Sequence, residues 1–458
     1  MKRFTPILFA CVMIIMLLFS WSVILNYDKN QSEIYENQLQ KAQRLEKKGI
    51  YIDAVKEYET LLSMKPQDFE TAIKIADLYE ELEQPDNFKK ALKKAIDLDS
   101  SSIETYIRLA DAYTASGDDS ELYNVLMDAK KADPDNQEIK NRLIELMKQF
   151  SIRTIDDTDI GDLYLHESNG YCARVKRDGK FGLISPGGSL VVNPDYDELG
   201  LRRESLLPVK ENGQYFYVDN NMYKKLVPDV EVEYLGSFGE GKAPAAYNGK
   251  YGYINKSLYQ LKNGSETLPT DKDGNIVYSF EYDYAGAFAN NTAAVKKGDK
   301  WALINGNLEP ITGFDFDDVL LDDYGYCSSY NRIITKKNSD MFIYDCDGKQ
   351  IGGPYEDAKL FKSDQPTAVK LNGKWGFADQ NGEITIEPTY DDAESFCIDF
   401  APVKTDGKWG AIGLENQMII EPNFNDFNSF SADGHARVID EKNRLCFITV
   451  HVYSGDDK

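Results

Sequence analysis

APVKTDGKWGAIGLENQMIIEPNFNDFNSF, residues 401–430, repeats the plan of AVKLNGKWGFADQNGEITIEPTYDDAESF, residues 368–396. Trp375 and Trp409 stand 34 residues apart, as do Gly373 and Gly407, Gly376 and Gly410, and Pro388 and Pro422. Each stretch reads as three short strands cut by turns: APVK, then KWGAIG, then MIIEP in the second copy. Asn-Gly and Asp-Gly supply the positive φ that tight hairpins need. A three-stranded unit cannot bury its own face, so neighbouring units must stack, with the aromatic as the repeated core anchor. Glycine after the anchor lets a backbone approach beside a bulky ring, and proline ends a strand.

Followed toward the N-terminus, the anchor falls on Phe181, Tyr215, Tyr251, Trp301, Met341, Trp375 and Trp409, at intervals of 34, 36, 50, 40, 34 and 34. Gly182, Gly252, Gly376 and Gly410 follow it, whereas Phe216, Ala302 and Phe342 replace the glycine elsewhere. The longest interval holds LKNGSETLPTDKDGN, residues 261–275, an exposed insertion by composition. VIDEKNRLCFITVHVY, residues 438–453, reads as a degenerate eighth unit or an edge-closing strand pair. The pattern resembles the bacterial WG-repeat family, with GKWG at 373–376 and 407–410, GKFG at 179–182 and GKYG at 249–252. The expected all-β repeat domain spans 170–453 in seven or eight units. Propeller blades commonly take roughly 40–45 residues and four strands. A 34-residue, three-strand unit falls below that, so an open β-solenoid is favoured and propeller-like closure is the alternative.

Residues 35–150 carry a different repeat. Ala42, Ala76 and Ala110 recur at 34, as do Ala54, Phe88 and Leu122, and Leu61, Ala95 and Ala129. Pro66, Ser100 and Pro134 close each unit. Small residues at a helix crossing and proline after the second helix describe paired helices. This resembles the tetratricopeptide (TPR) family: three repeats, with QEIKNRLIELMKQF, 137–150, as a capping helix. The resemblance implies a concave surface that receives peptides or partner proteins; a spacer is the other reading. No Lys/Arg/Asn cluster suggests a clamp for a partner's C-terminal carboxylate.

Residues 7–25, ILFACVMIIMLLFSWSVIL, are uncharged and long enough for a transmembrane helix. Lys2 and Arg3 precede them and Asp28, Glu33 and Glu36 follow, which predicts a cytoplasmic tail at 1–6 and an extracellular bulk. The chain is thus expected as a single-pass protein of the bacterial cell membrane, with linkers at 26–34 and 151–169 and a tail at 454–458.

Of the 458 residues, 76 are acidic and 52 basic, a net charge of -24. That balance excludes a nucleic-acid-binding surface. His166, His435 and His451 show no metal-ligand spacing, and no nucleophile elbow is present. Tyr196-Asp197, Tyr282-Asp283, Phe316-Asp317, Tyr390-Asp391 and Phe424-Asn425 recur where units end, so these side chains are read as turn caps rather than an acid–base pair. DKDGN, 271–275, and DCDGK, 345–349, lack the later ligands of a calcium loop and read as hairpin turns. Five cysteines from Cys172 onward form no close pair in sequence. The expectation is therefore no enzyme, no cofactor and no metal, but a membrane-tethered adaptor for protein or peptide partners. Recognition of a cell-wall glycan is the alternative, with Tyr324, Tyr326, Tyr330 and Tyr355 as candidate surface aromatics.

Overall fold

The computed structural model describes residues 32–157, 159–227, 231–255 and 280–452. The chain divides between Leu146 and Met147 into two compact units.

The first is helical. It contains α1 (32–47), α2 (Tyr51–Met64), α3 (Phe69–Glu81), α4 (Pro85–Leu98), α5 (Ile103–Ser116), α6 (Asp119–Ala132) and α7 (Gln137–Met147). Local chemistry sets the ends. Asp68 and Asp118 accept the backbone N–H groups of Thr71 and Glu121, which caps α3 and α6. Pro85 occupies the first turn of α4, where its missing N–H is harmless. Gly49 and Gly117 take positive φ after the first helix of their pairs, and Glu83 adopts the same conformation at the least regular turn. Ala42, Ala76 and Ala110 are fully buried, while Pro66 and Pro134 are exposed beyond the second helices.

The second unit is eight antiparallel sheets in sequence order. Blade 1 covers Ile160–Tyr196, blade 2 Glu198–Leu226, blade 3 Tyr234–Asn255, blade 4 Tyr284–Asn305, blade 5 Asp318–Tyr355, blade 6 Asp357–Tyr390 and blade 7 Asp392–Phe424. Blade 8 combines Asp426–Val450 with the strand Phe150–Thr154, which pairs Phe150 with Val450 and Thr154 with Cys446. Core clusters bridge consecutive blades from 1 to 7, and Phe400 stacks on Phe430 from blade 7 to blade 8. A last cluster joins Phe447 of blade 8 to Ile160, Val175 and Ile184 of blade 1. The array therefore closes on itself as an eight-bladed propeller.

This corrects the open solenoid. Each full blade has four strands, because a two-residue strand such as Glu198–Leu199 or Asp392–Ala393 precedes the three that the pattern displays. Two residues are too few to show alternation. A single residue, Asp197 or Asp391, separates it from the last strand of the preceding blade, so four strands fit into 34 residues. The expected linker 151–169 also needs correction, since it holds most of the closing strand and the first strand of blade 1.

The expected span at 7–25 and the tails at 1–6 and 454–458 lie outside the described residues. Among the described residues no helix is long and apolar enough to cross a membrane. The single-pass, membrane-tethered reading with its extracellular placement is withdrawn accordingly. The molecule is described by two repeat arrays, neither of which contains a membrane-crossing helix.

Candidate binding surfaces

The repeated carboxylates bind the ring together. Lys180 pairs with Asp197 at 2.5 Å, Lys300 with Asp317 at 2.5 Å and Lys374 with Asp391 at 2.6 Å, and Lys250 pairs with Asp283 likewise. The second oxygen of each Asp accepts a backbone N–H from the next blade's hairpin turn: Asp197 from Gly213, Asp283 from Gly298, Asp317 from Asn338 and Asp391 from Asp406. Lysine above all, then those N–H groups, holds the four carboxyls below the usual range; for Asp391 the bond and charge of Lys374 come first and the Asp406 N–H well behind them in order. A carboxylate engaged through both oxygens in blade after blade is a repeated fastener of the ring.

The anchors occupy equivalent positions. Trp301, Trp375 and Trp409 are buried between blades, and Phe181 and Tyr251 are half-buried. A Cβ added at Gly182, Gly376 or Gly410 would meet the carbonyl oxygen of Val192, Ile386 or Ile420 at 2.3–2.5 Å. Glycine there allows the outer strand to cross close over the bulge. In blade 5, Phe342 stands in place of the glycine, and Gly352 and Gly353 lie opposite it; a Cβ at Gly353 would meet the Met341 carbonyl oxygen at 2.7 Å. The close approach is kept by moving the glycine across the strand pair.

Blade 5 also carries a longer loop, Leu320–Cys327, which accounts for the 40-residue interval between Trp301 and Met341. This loop enters the centre of the ring. Tyr324 meets the Tyr164 ring edge-on at 4.8 Å, and Arg174 of blade 1 pairs with Asp323 at 3.6 Å. The Tyr326 hydroxyl donates to the Phe238 carbonyl of blade 3 at 2.7 Å. The plug separates a cavity of about 520 Å³, lined by seven of the eight blades, from a smaller one of about 180 Å³ that Phe181 helps to line. Tyr324, Tyr326 and Tyr355 are buried, so of the four aromatics considered for glycan binding only Tyr330 is exposed, at 45%. That reading is set aside. The interval pointed to extra residues at this place, but not to the direction in which they fold.

The calcium-like DCDGK turn uses its own carboxylate. Asp345 Oδ1 accepts the N–H groups of Asp347 and Lys349. DKDGN at 271–275 lies outside the described residues. The five described cysteines are free thiols.

In the helical unit the first helices of successive pairs are tied by a ladder of period 34. Lys74 pairs with Glu46 at 2.8 Å, Arg108 with Asp77 at 2.9 Å and Glu80 at 2.8 Å, and Arg142 with Asp111 at 2.5 Å. Burial raises the Glu46 pKa, but the bonds from Lys74 and Tyr58 outweigh it and hold the carboxyl low. Beside this ladder run two further rows of period 34. Leu39, Ile73 and Ile107 are half-buried, and Glu36, Glu70 and Glu104, three residues earlier on the same helical face, are exposed. Those three glutamates form no ion pair among the described residues.

Residues 181–215, 271–301, 375–409 and 409–442 are similar to the WG containing repeat, and 69–102 to the tetratricopeptide repeat. Nothing among curated proteins matches the chain. Solved structures match about a quarter of the chain. MamA is 21% identical, with 24% of this chain and 61% of MamA covered and a TM-score of 0.22. The first TPR of Spaghetti (RPAP3), bound to an HSP90 peptide, is 20% identical over 24% and 89%, with a TM-score of 0.21. The Yersinia enterocolitica secretion chaperone SycD, in complex with a YopD peptide, is 16% identical over 24% and 90%, again at 0.21. Likenesses this weak carry no functional argument. The chain thus combines TPR-like helical repeats with a WG-like propeller, and no group of three or more metal-holding side chains is found among the described residues.

Proposed function

We propose that the protein is a scaffold whose helical array binds an extended basic segment of a partner protein. The observation that carries this is the aliphatic row Leu39, Ile73 and Ile107 flanked by the unpaired Glu36, Glu70 and Glu104. Lysines or arginines of a bound segment answer the glutamates while its apolar residues cover the aliphatic row. The neighbouring acids are already occupied by the basic ladder, which fixes the face without neutralising it.

The test is fluorescence anisotropy of a labelled peptide of alternating lysine and leucine with the whole chain. Glu70→Gln combined with Glu104→Gln is expected to weaken binding about 10-fold at low salt, and Ile73→Ala to weaken it at every salt concentration. Unchanged affinity in both variants, with helicity intact by circular dichroism, refutes the proposal.

A further inference from the structure

The larger axial cavity is lined by Asp322 and Lys362, which form no ion pair, and by Arg203, which lies beside the Tyr326 hydroxyl. Asp322 Oδ1 accepts the N–H groups of Tyr324 at 2.9 Å and Tyr326 at 3.0 Å, whereas Oδ2 accepts no hydrogen bond from the protein. The carboxyl lines the cavity and is otherwise closely surrounded, and burial pushes its pKa up. Lys362 lines the same space without an ion pair; its charge draws the Asp322 carboxyl down against the larger effect of burial, and its ammonium lies 5.6 Å from the centre of the Tyr164 ring. The remaining carboxylates of the wall differ. Glu167, Glu204 and Glu240 each accept a backbone N–H from the following blade, at Ser205, Gly241 and Asn291, over 2.7–2.9 Å. They are ring fasteners, as is Asp162, which accepts from the Asn428 amide of blade 8; Asp322 differs in bonding only within its own loop, through Oδ1.

The rim supplies an independent observation. Inner hairpin turns place pairs of residues at positive φ, and Glu204-Ser205, Glu240-Gly241 and Asn290-Asn291 follow the small or polar preference of such turns. Tyr330-Asn331 and Ile398-Asp399 do not: Ile398 takes φ 50° and is half-buried, whereas Tyr330 takes φ 51° and stands exposed where it lines the cavity. A residue that breaks the local rule without gaining burial marks a functional position. The volume, about 520 Å³, lies within the range of small-molecule sites.

An amine alone would answer Asp322 and leave Lys362; an anion alone would do the reverse and face the aspartate. We infer that the axial cavity binds a small zwitterion of the amino-acid class, its ammonium on Asp322, its carboxylate on Lys362 and its apolar side chain against Tyr330. This site is independent of the helical array.

Isothermal titration of the whole chain with L-leucine, L-leucinamide and N-acetyl-L-leucine tests it. L-leucine is expected to bind at least about 10-fold tighter than either analogue, about 1.4 kcal/mol. Asp322→Asn keeps the Oδ1 acceptor and is expected to weaken L-leucine and L-leucinamide but not N-acetyl-L-leucine. Lys362→Met is expected to weaken L-leucine and N-acetyl-L-leucine but not L-leucinamide, and it decides the matter alone should Asp322→Asn not fold. The inference is overturned by the absence of heat from L-leucine at millimolar concentration. Equal affinity for all three compounds, or variants that leave L-leucine binding unchanged, also overturn it.

Discussion

At Gly410 a single methyl group would stand 2.3 Å from the carbonyl oxygen of Ile420, a backbone atom with little room to yield. Gly410→Ala is therefore expected to destabilise the propeller by about 1–3 kcal/mol, measured by urea denaturation. Trp375→Ala, which empties the core between blades 6 and 7, is expected to cost about 3–5 kcal/mol in the same assay. Both positions were visible in the sequence, because anchor and glycine are adjacent and recur. Blade 5 was not readable in this way. Its glycines at 352 and 353 occupy the opposite strand, and only the pairing of Met341 with Tyr355 and Ile343 with Gly352 shows that they serve the same crossing. Asp322 was hidden for another reason: it lies in LLDD, residues 320–323, close to the similar acidic run FDFDD, residues 314–318, and its place in the cavity wall follows from the direction in which the plug folds.

Among the elements, the helices were the most legible, since each spans three or four turns and its caps are local. The two-residue inner strands were the least legible, and missing them turned a ring into an expected solenoid. Length decides this: a strand of two residues has one inward and one outward side chain, which is no pattern. The closing strand Phe150–Thr154 was missed because its partner Leu445–Val450 lies at the far end of the chain. Its removal leaves that partner an open edge with unpaired backbone groups. A chain beginning at residue 155 is expected to self-associate, and light scattering against the parent chain checks this.

For the whole molecule, pH acts through two kinds of group. Burial, reinforced by Arg202, lowers the His166 pKa to about 3. The unfolded chain therefore binds a proton below about pH 6.5 that the folded chain refuses until near pH 3. Stability falls steadily as pH drops through that window. His166→Asn retains an acceptor for the Arg202 N–H and does not titrate. Its thermal midpoint is expected to vary less between pH 6.5 and 4 than that of the parent, by calorimetry. The blade-joining aspartates act lower. Their depressed pKa values give stability that is complete above about pH 4 and lost as pH falls further, so the acid transition is expected to steepen there in both proteins.

Joining the first strand of the ring to the last also sets an order in time. Phe150 and Val450 are partners separated by about 300 residues, and at roughly 5–20 residues per second a ribosome needs about 15–60 s to make the stretch between them. For that interval the closing strand, with Ile152 and Phe150 among its side chains, has been made and has nothing to pair with. Seven blades can stack as they emerge, yet the circle waits for the final hairpin. The ring is thus completed by the synthesis of its eighth blade.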